Sequence, residues 1–210
     1  MRRYQILFLT ISSCLLLLSS CAVKTVDGFE QKETALKSYT AQYFSDPAKD
    51  YVYKAQISVY GRDFGGIFIA KKINDTLYRA AFTTEFGNKL FDFEVTDNSF
   101  KVNYILEELN KKIIVNTLKR DFMLLLKKHH DVAQQYESAQ NTVYKSNDGK
   151  RFNYIFTDKT SGRLSRLVNA TKSKEKTIIT YNAESDILAQ NIVIDHKNIK
   201  LKIELNYLQQ

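Results

Sequence analysis

The chain has 210 residues, 44% of them hydrophobic and 26% charged, with a formal net charge of +8. That length allows one domain with a sizeable core and leaves no room for two comfortable ones. With two cysteines and three histidines there is no C-x-x-C pair or His/Cys cluster at zinc spacing, so apolar burial must stabilise the fold, and thirteen Phe and thirteen Tyr are available for it.

The N-terminal segment runs from positive to apolar to small. Arg2 and Arg3 precede the apolar stretch Ile6 to Leu18, which ends in Leu18-Ser19-Ser20-Cys21. This is the layout of a signal peptide cut just before a cysteine that then carries lipid, the bacterial lipoprotein pattern. The stretch is too short for a transmembrane helix, which needs about 20 apolar residues. The expected organisation is therefore a signal peptide at 1–20, a lipidated N-terminus and tether at 21–28, and a single domain at 29–210. Cys14 leaves with the signal, so the mature chain has no disulfide although export would permit one. Loss of Arg2 and Arg3 takes the net charge from +8 to +6. That basicity suits an anionic membrane surface, and an exported chain would rarely meet nucleic acid.

Phe29, Ala35, Leu36, Tyr39 and Tyr43 fall at near-helical spacing, which predicts a helix over Phe29 to Phe44, barred from continuing by Pro47. From Asp50 the period changes to two, with turn signals every eight to twelve residues, as in an antiparallel all-β architecture. Tyr53, Ile57 and Val59 share one face of the first strand. Asp63-Phe64-Gly65-Gly66 is a predicted turn into a strand at Ile67 to Lys72, and Asn74-Asp75 a turn into a strand at Leu77 to Thr84, with further strands at Leu90 to Thr96 and Phe100 to Tyr104. Lys112 to Asn116 reads as a further strand. Leu118, Phe122, Leu125 and Leu126 then predict an amphipathic helix over Thr117 to His130, which either packs on the sheet, the commoner arrangement, or lies on a membrane. Strands at Phe152 to Phe156, Leu164 to Val168, Thr177 to Tyr181, Ile187 to Asp195 and Ile199 to Tyr207 complete about eleven. A sheet that large must close on itself, be plugged, or hold something apolar.

Catalytic signatures are lacking: there is no G-x-S-x-G elbow and no Gly-rich phosphate loop. Asp92 and Glu94 read as solvation charges on the outer face of their strand, Arg79 as a surface arginine, and His129-His130 as the polar end of the helix. Phe86 is unusual as a large aromatic in the turn Glu85-Phe86-Gly87-Asn88. It either folds back on a strand or protrudes to enter a bilayer or a partner's groove.

The run Leu77-Tyr78-Arg79-Ala80-Ala81-Phe82-Thr83-Thr84-Glu85-Phe86-Gly87-Asn88-Lys89-Leu90, with the element order from Gln31 to Tyr207, resembles the LolA/LolB family of lipoprotein carriers. The resemblance implies a mainly β fold, an unclosed antiparallel half-barrel of about eleven strands with covering α-helices. It implies that Phe86, just before Gly87, helps insert cargo into a membrane, and that Leu118, Phe122 and Leu125 belong to a lid helix. The implied lining of the apolar cavity is Tyr53, Ile57, Val59, Phe82, Phe91, Phe93, Phe152, Tyr154, Phe156, Leu201 and Ile203. It further implies a monomeric, non-enzymatic lipoprotein without cofactor or metal. Anchored through Cys21 at the periplasmic face of the outer membrane, it would take acyl chains of lipoproteins or other amphiphiles, with a periplasmic carrier protein as a candidate donor. The sequence departs from the family in having no tryptophan. The alternative is an outer-membrane lipoprotein that docks a protein partner, its barrel filled by its own Phe and Tyr.

Overall fold

A computed structural model describes residues 24–209; the expected signal peptide and Cys21 lie outside the described residues. In chain order the strands before the helix are β1 (Glu30–Lys32), β2 (Ser38–Thr40), β3 (Asp50–Val59), β4 (Arg62–Lys72), β5 (Tyr78–Thr83), β6 (Lys89–Val95) and β7 (Phe100–Ile105). The helix α1 (Lys112–Leu125) leads to β8 (His129–Asp131), β9 (Gln134–Glu137), β10 (Asn141–Asp148) and β11 (Arg151–Asp158). The chain ends with β12 (Leu164–Ala170), β13 (Glu175–Asn182), β14 (Asn191–His196) and β15 (Leu201–Tyr207). Thirteen strands form one antiparallel sheet in the order β1-β9-β10-β11-β12-β13-β14-β15-β3-β4-β5-β6-β7, and β2 pairs with β8 apart from it. The ends of that order do not pair, so the sheet is an open half-barrel.

The register explains the core. Directly paired residues share a face, and one row crosses eight strands: Tyr144, Ile155, Leu167, Ile179, Ile194, Ile203, Ile57 and Phe64. All eight belong to the main hydrophobic cluster or pack against it. The face carrying this row is the inner face, and α1 packs on it. Ile114, Leu118, Phe122 and Leu125 are buried, at the three- and four-residue steps that align on one side of a helix.

Two segments depart from the sequence reading. Helix α1 begins at Lys112, so the strand expected at Lys112 to Asn116 is its first turn, and His129-His130 forms β8 beyond it. The helix start has no side-chain cap, so the usual N-terminal signal was absent. Phe29 to Phe44 forms no helix. Ser38-Tyr39-Thr40, poor helix formers, pair with His129–Asp131, and the segment crosses the inner face as an aromatic strap. Tyr39 stacks on Tyr144 at 5.6 Å, Tyr43 lies 5.1 Å from Tyr181, and Phe44 lies 5.0 Å from Tyr51. The Tyr43 hydroxyl donates to the Leu164 carbonyl at 2.8 Å.

Thr25 and Val26 of the expected tether, and Phe29 just beyond it, are also fixed. Thr25 donates to Glu175 at 2.7 Å, and Val26 and Phe29 pack on the outer face against Val143, Tyr154, Phe156, Val168 and Ala170. The predicted turn at Asp63 to Gly66 lies within β4. The chain reverses instead at Tyr60-Gly61, with φ of 48° and 80°, the two positive values that a two-residue hairpin turn requires.

Candidate functional site: inner face and the β5–β6 turn

Most of the expected cavity lining reaches the inner face. Tyr53, Ile57, Val59, Phe82, Phe91, Phe93, Leu201 and Ile203 are buried in the cluster that also holds Leu118, Phe122 and Leu125 of α1. Phe152, Tyr154 and Phe156 do not. They lie in the second cluster, on the outer face, while Asn153 and Ile155 between them point inward. Their alternation had two readings because both faces of β11 are covered, one by α1 and the strap, the other by Val26 and Phe29.

Beneath the helix the inner face is filled ring on ring. Phe122 lies 5.3 Å from both Phe68 and Phe91 and 5.9 Å from Phe93, and Phe91 stacks on Phe93 at 4.4 Å. The lid residues thus occupy the space that the cavity reading assigned to a ligand.

The β5–β6 turn is built rigidly. Thr84 N–H donates to the Asn88 carbonyl at 2.8 Å, Gly87 N–H to the Thr84 carbonyl at 3.0 Å, and Asn88 N–H to Thr84 Oγ1 at 3.1 Å. Gly87 takes φ 83°, where a side chain would be strained. Below the turn, Asp92 corrects its reading as a solvation charge: it is buried, gripped by Arg79 through Nε at 3.0 Å and Nη2 at 2.8 Å, and by Lys89 at 2.9 Å. The Arg79 fork, with help from Lys89, holds the Asp92 carboxyl well below the usual carboxylate range despite its burial. Arg79 is therefore more than a surface arginine. On this base Phe86 stands 94% exposed; of the two readings of the turn, it protrudes.

Gly66 fixes where the turn sits. It pairs with the buried Ala55 and so faces inward, and a Cβ there would meet the Thr83 carbonyl oxygen at 1.9 Å. The end of β5 therefore bends over the inner face above Gly66, bringing the turn to the rim of the half-barrel. Sequence reasoning saw Gly66 only as a turn residue.

A polar band was also missed. Ser146, Asn153, Asn169, Thr177 and His196 are successive cross-strand partners on the inner face of β10 to β14. Asn169 Nδ2 donates to Asn153 Oδ1 at 2.7 Å. His196 Nε2 meets Asp121 Oδ1 of α1 at 2.9 Å, and its Nδ1 meets the Leu201 carbonyl at 2.8 Å. Both ring nitrogens thus face acceptors, so the pair holds one proton beyond a neutral imidazole and a carboxylate. Burial lowers the His196 pKa, but the Asp121 hydrogen bond and charge outweigh it and the net shift is upward; burial raises Asp121. Among the described residues no cluster of metal-ligating side chains occurs, and no helix is long and apolar enough to cross a membrane.

No protein-family model matches the chain, and no curated protein matches it in sequence. Among solved structures, a LolA superfamily protein from Nitrosomonas europaea aligns with 80% of this chain and 88% of its own, at a TM-score of 0.50 and 8% identity. The fold is LolA-like. A domain from Vibrio parahaemolyticus described as an outer membrane lipoprotein-sorting protein aligns with 79% of this chain and 86% of its own, at a TM-score of 0.45 and 7% identity. The LolA-like half-barrel here has one α-helix over its inner face among the described residues, with the Tyr39–Phe44 strap in place of a second.

Proposed function

We propose that this protein is a lipid-anchored carrier that holds the acyl chains of lipoproteins or other amphiphiles on its inner face and passes them to the outer membrane. The observation that carries the reading is the Phe86 turn: a bare aromatic on a clamped base, at the rim of an open apolar sheet. Acyl chains would bind by apolar burial, at about 25 cal/mol per Å², after α1 moves off Phe68, Phe91 and Phe93. Release needs only a bilayer that holds the chains better, and no bond is made or broken. The anchor at Cys21 and a periplasmic donor protein belong to the same proposal.

The ring-on-ring filling under α1 favours a second reading, a docking module whose interior is permanently occupied by its own side chains. Transfer of a fluorescent acyl lipid between liposomes separates the two. Phe86→Glu should leave folding unchanged by circular dichroism and abolish most of the transfer. Unchanged transfer would contradict the role of the turn, and no uptake by the unaltered chain would favour the docking module.

A further inference from the structure

Between the C-terminal half of α1 and the ends of β10 to β13 lies a cavity of about 170 Å³. Its polar lining is Arg120 and Lys127 from the helix side, Asp148, Arg151, Asn153, Asn169 and Thr177 from the sheet, and Asp97 from the turn after β6. Arg120 and Asp148 are exposed, so the cavity opens to solvent. Three features set it apart from an ordinary polar surface. Among the described residues, none of its five charged groups forms an ion pair. Asn153 is 1% exposed, and its Nδ2 has no hydrogen-bond partner. Burial and then the nearby Arg120 disfavour the charge on Arg151, and the carboxylates of Asp148 and Asp121 offset them only in part.

Neutral hydrogen bonds orient the guanidinium groups. Arg151 Nη1 donates to Asn169 Oδ1 at 2.8 Å, and Arg120 Nη2 donates to Thr117 Oγ1 at 3.2 Å. Each keeps further donors free. The buried Asn153 donor is costly without a partner, and the two guanidinium groups, neither in an ion pair, leave donors with which an acceptor of several oxygens could join it. Planar guanidinium forks match a phosphoryl group in that role.

We propose that this cavity is a phosphoryl-oxyanion site, with Arg120 and Arg151 as the charged ligands and Asn153 Nδ2 as the buried donor. Asp97 and Asp148 leave the lining only one unit positive, which suits a phosphodiester monoanion better than the dianion of free phosphate. The site adjoins the polar band, whose Asn153, Asn169 and Thr177 also line it, and the apolar row of the inner face lies beyond that band. A phospholipid head group could therefore sit at Arg120 and Arg151 with its chains directed inward. In this lipid form the proposal rests on the amphiphile-carrier reading; the oxyanion site itself does not.

Titration calorimetry on the full chain tests it with three probes: dihexanoyl phosphatidylglycerol below its micelle concentration, inorganic phosphate, and an uncharged monoacylglycerol. The phosphatidylglycerol should bind more tightly than inorganic phosphate. Arg120→Gln and Arg151→Gln should each weaken it roughly 10- to 100-fold, as loss of a charge-assisted hydrogen bond implies, while leaving the monoacylglycerol unchanged. Arg120 is exposed, so its replacement keeps the test valid even where Arg151→Gln destabilises the fold. Inorganic phosphate binding as tightly as the lipid, with the same arginine dependence, would support the oxyanion site and overturn its assignment to a lipid head group. Monoacylglycerol binding with no phosphate probe sensitive to either arginine would overturn the site and leave the carrier reading standing. Arginine-dependent binding of inorganic phosphate with no binding of either amphiphile would do the reverse.

Discussion

The inner face has two ends built from different chemistry. Under α1, Phe122 sits among Phe68, Phe91 and Phe93 with no polar atom among their side chains. Across β10 to β14 the same face carries Ser146, Asn153, Asn169, Thr177 and His196 in one cross-strand row. The apolar end gains stability from area and gives no direction to what it covers. The polar end gains little net stability from its hydrogen bonds but sets which groups may be buried there. Helix α1 joins the two: Phe122 enters the first, and its neighbour Asp121 pairs with His196 in the second.

The largest expected effect breaks the apolar end. Phe122→Ala should cost about 3–5 kcal/mol of unfolding free energy in urea, because it removes the ring that three others pack against. A loss under about 1 kcal/mol would mean that the helix does not cap the core.

At the polar end, Asp121→Ala leaves His196 buried without its carboxylate and should cost about 3 kcal/mol; replacing both partners by leucine should recover much of it. The pH dependence follows from the upward shift of His196. Its stabilising contribution is complete below the unfolded value of about 6.5 and is lost as pH rises through the raised folded value. The double replacement should flatten that alkaline loss, as pH-dependent urea midpoints would reveal.

His130 gives the opposite sign beside the strap. It pairs with Tyr39 across β2 and β8 and is buried, and burial with the nearby Lys127 charge pushes its pKa down to about 4. Its contribution is present above about pH 6.5 and is lost as pH falls toward 4, at about 1.4 kcal/mol per unit once below the unfolded pKa. His130→Leu should remove this slope between pH 6.5 and 4. An unchanged slope would place the acid sensitivity elsewhere.

The two ends were not equally legible in the sequence. Period-two alternation revealed β3, β6 and β15, and the turn position singled out Phe86, because these are local signals. The start of α1 was obscured by the lack of a capping side chain, and the Tyr39–Phe44 strap by aromatic spacing that suits a helix as well as an extended crossing. Phe152, Tyr154 and Phe156 were assigned to the wrong face because aromatic content does not say which covered side of a strand faces the helix. The polar band was invisible because each member looks like an ordinary strand polar residue until the register aligns Asn153 with Asn169, Thr177 and His196. The same holds for Gly66, whose need for a bare Cα comes from the Thr83 carbonyl of the next strand.

The carrier account requires that the apolar end exchange Phe122 for an acyl chain. Mass spectrometry of organic extracts from the purified Cys21→Ala chain tests this directly. The account predicts stoichiometric acyl lipid in the unaltered background, with the amount changed by Phe122→Ala. An extract free of acyl lipid, from protein that also takes up none from liposomes, would contradict it and leave the inner face as a core.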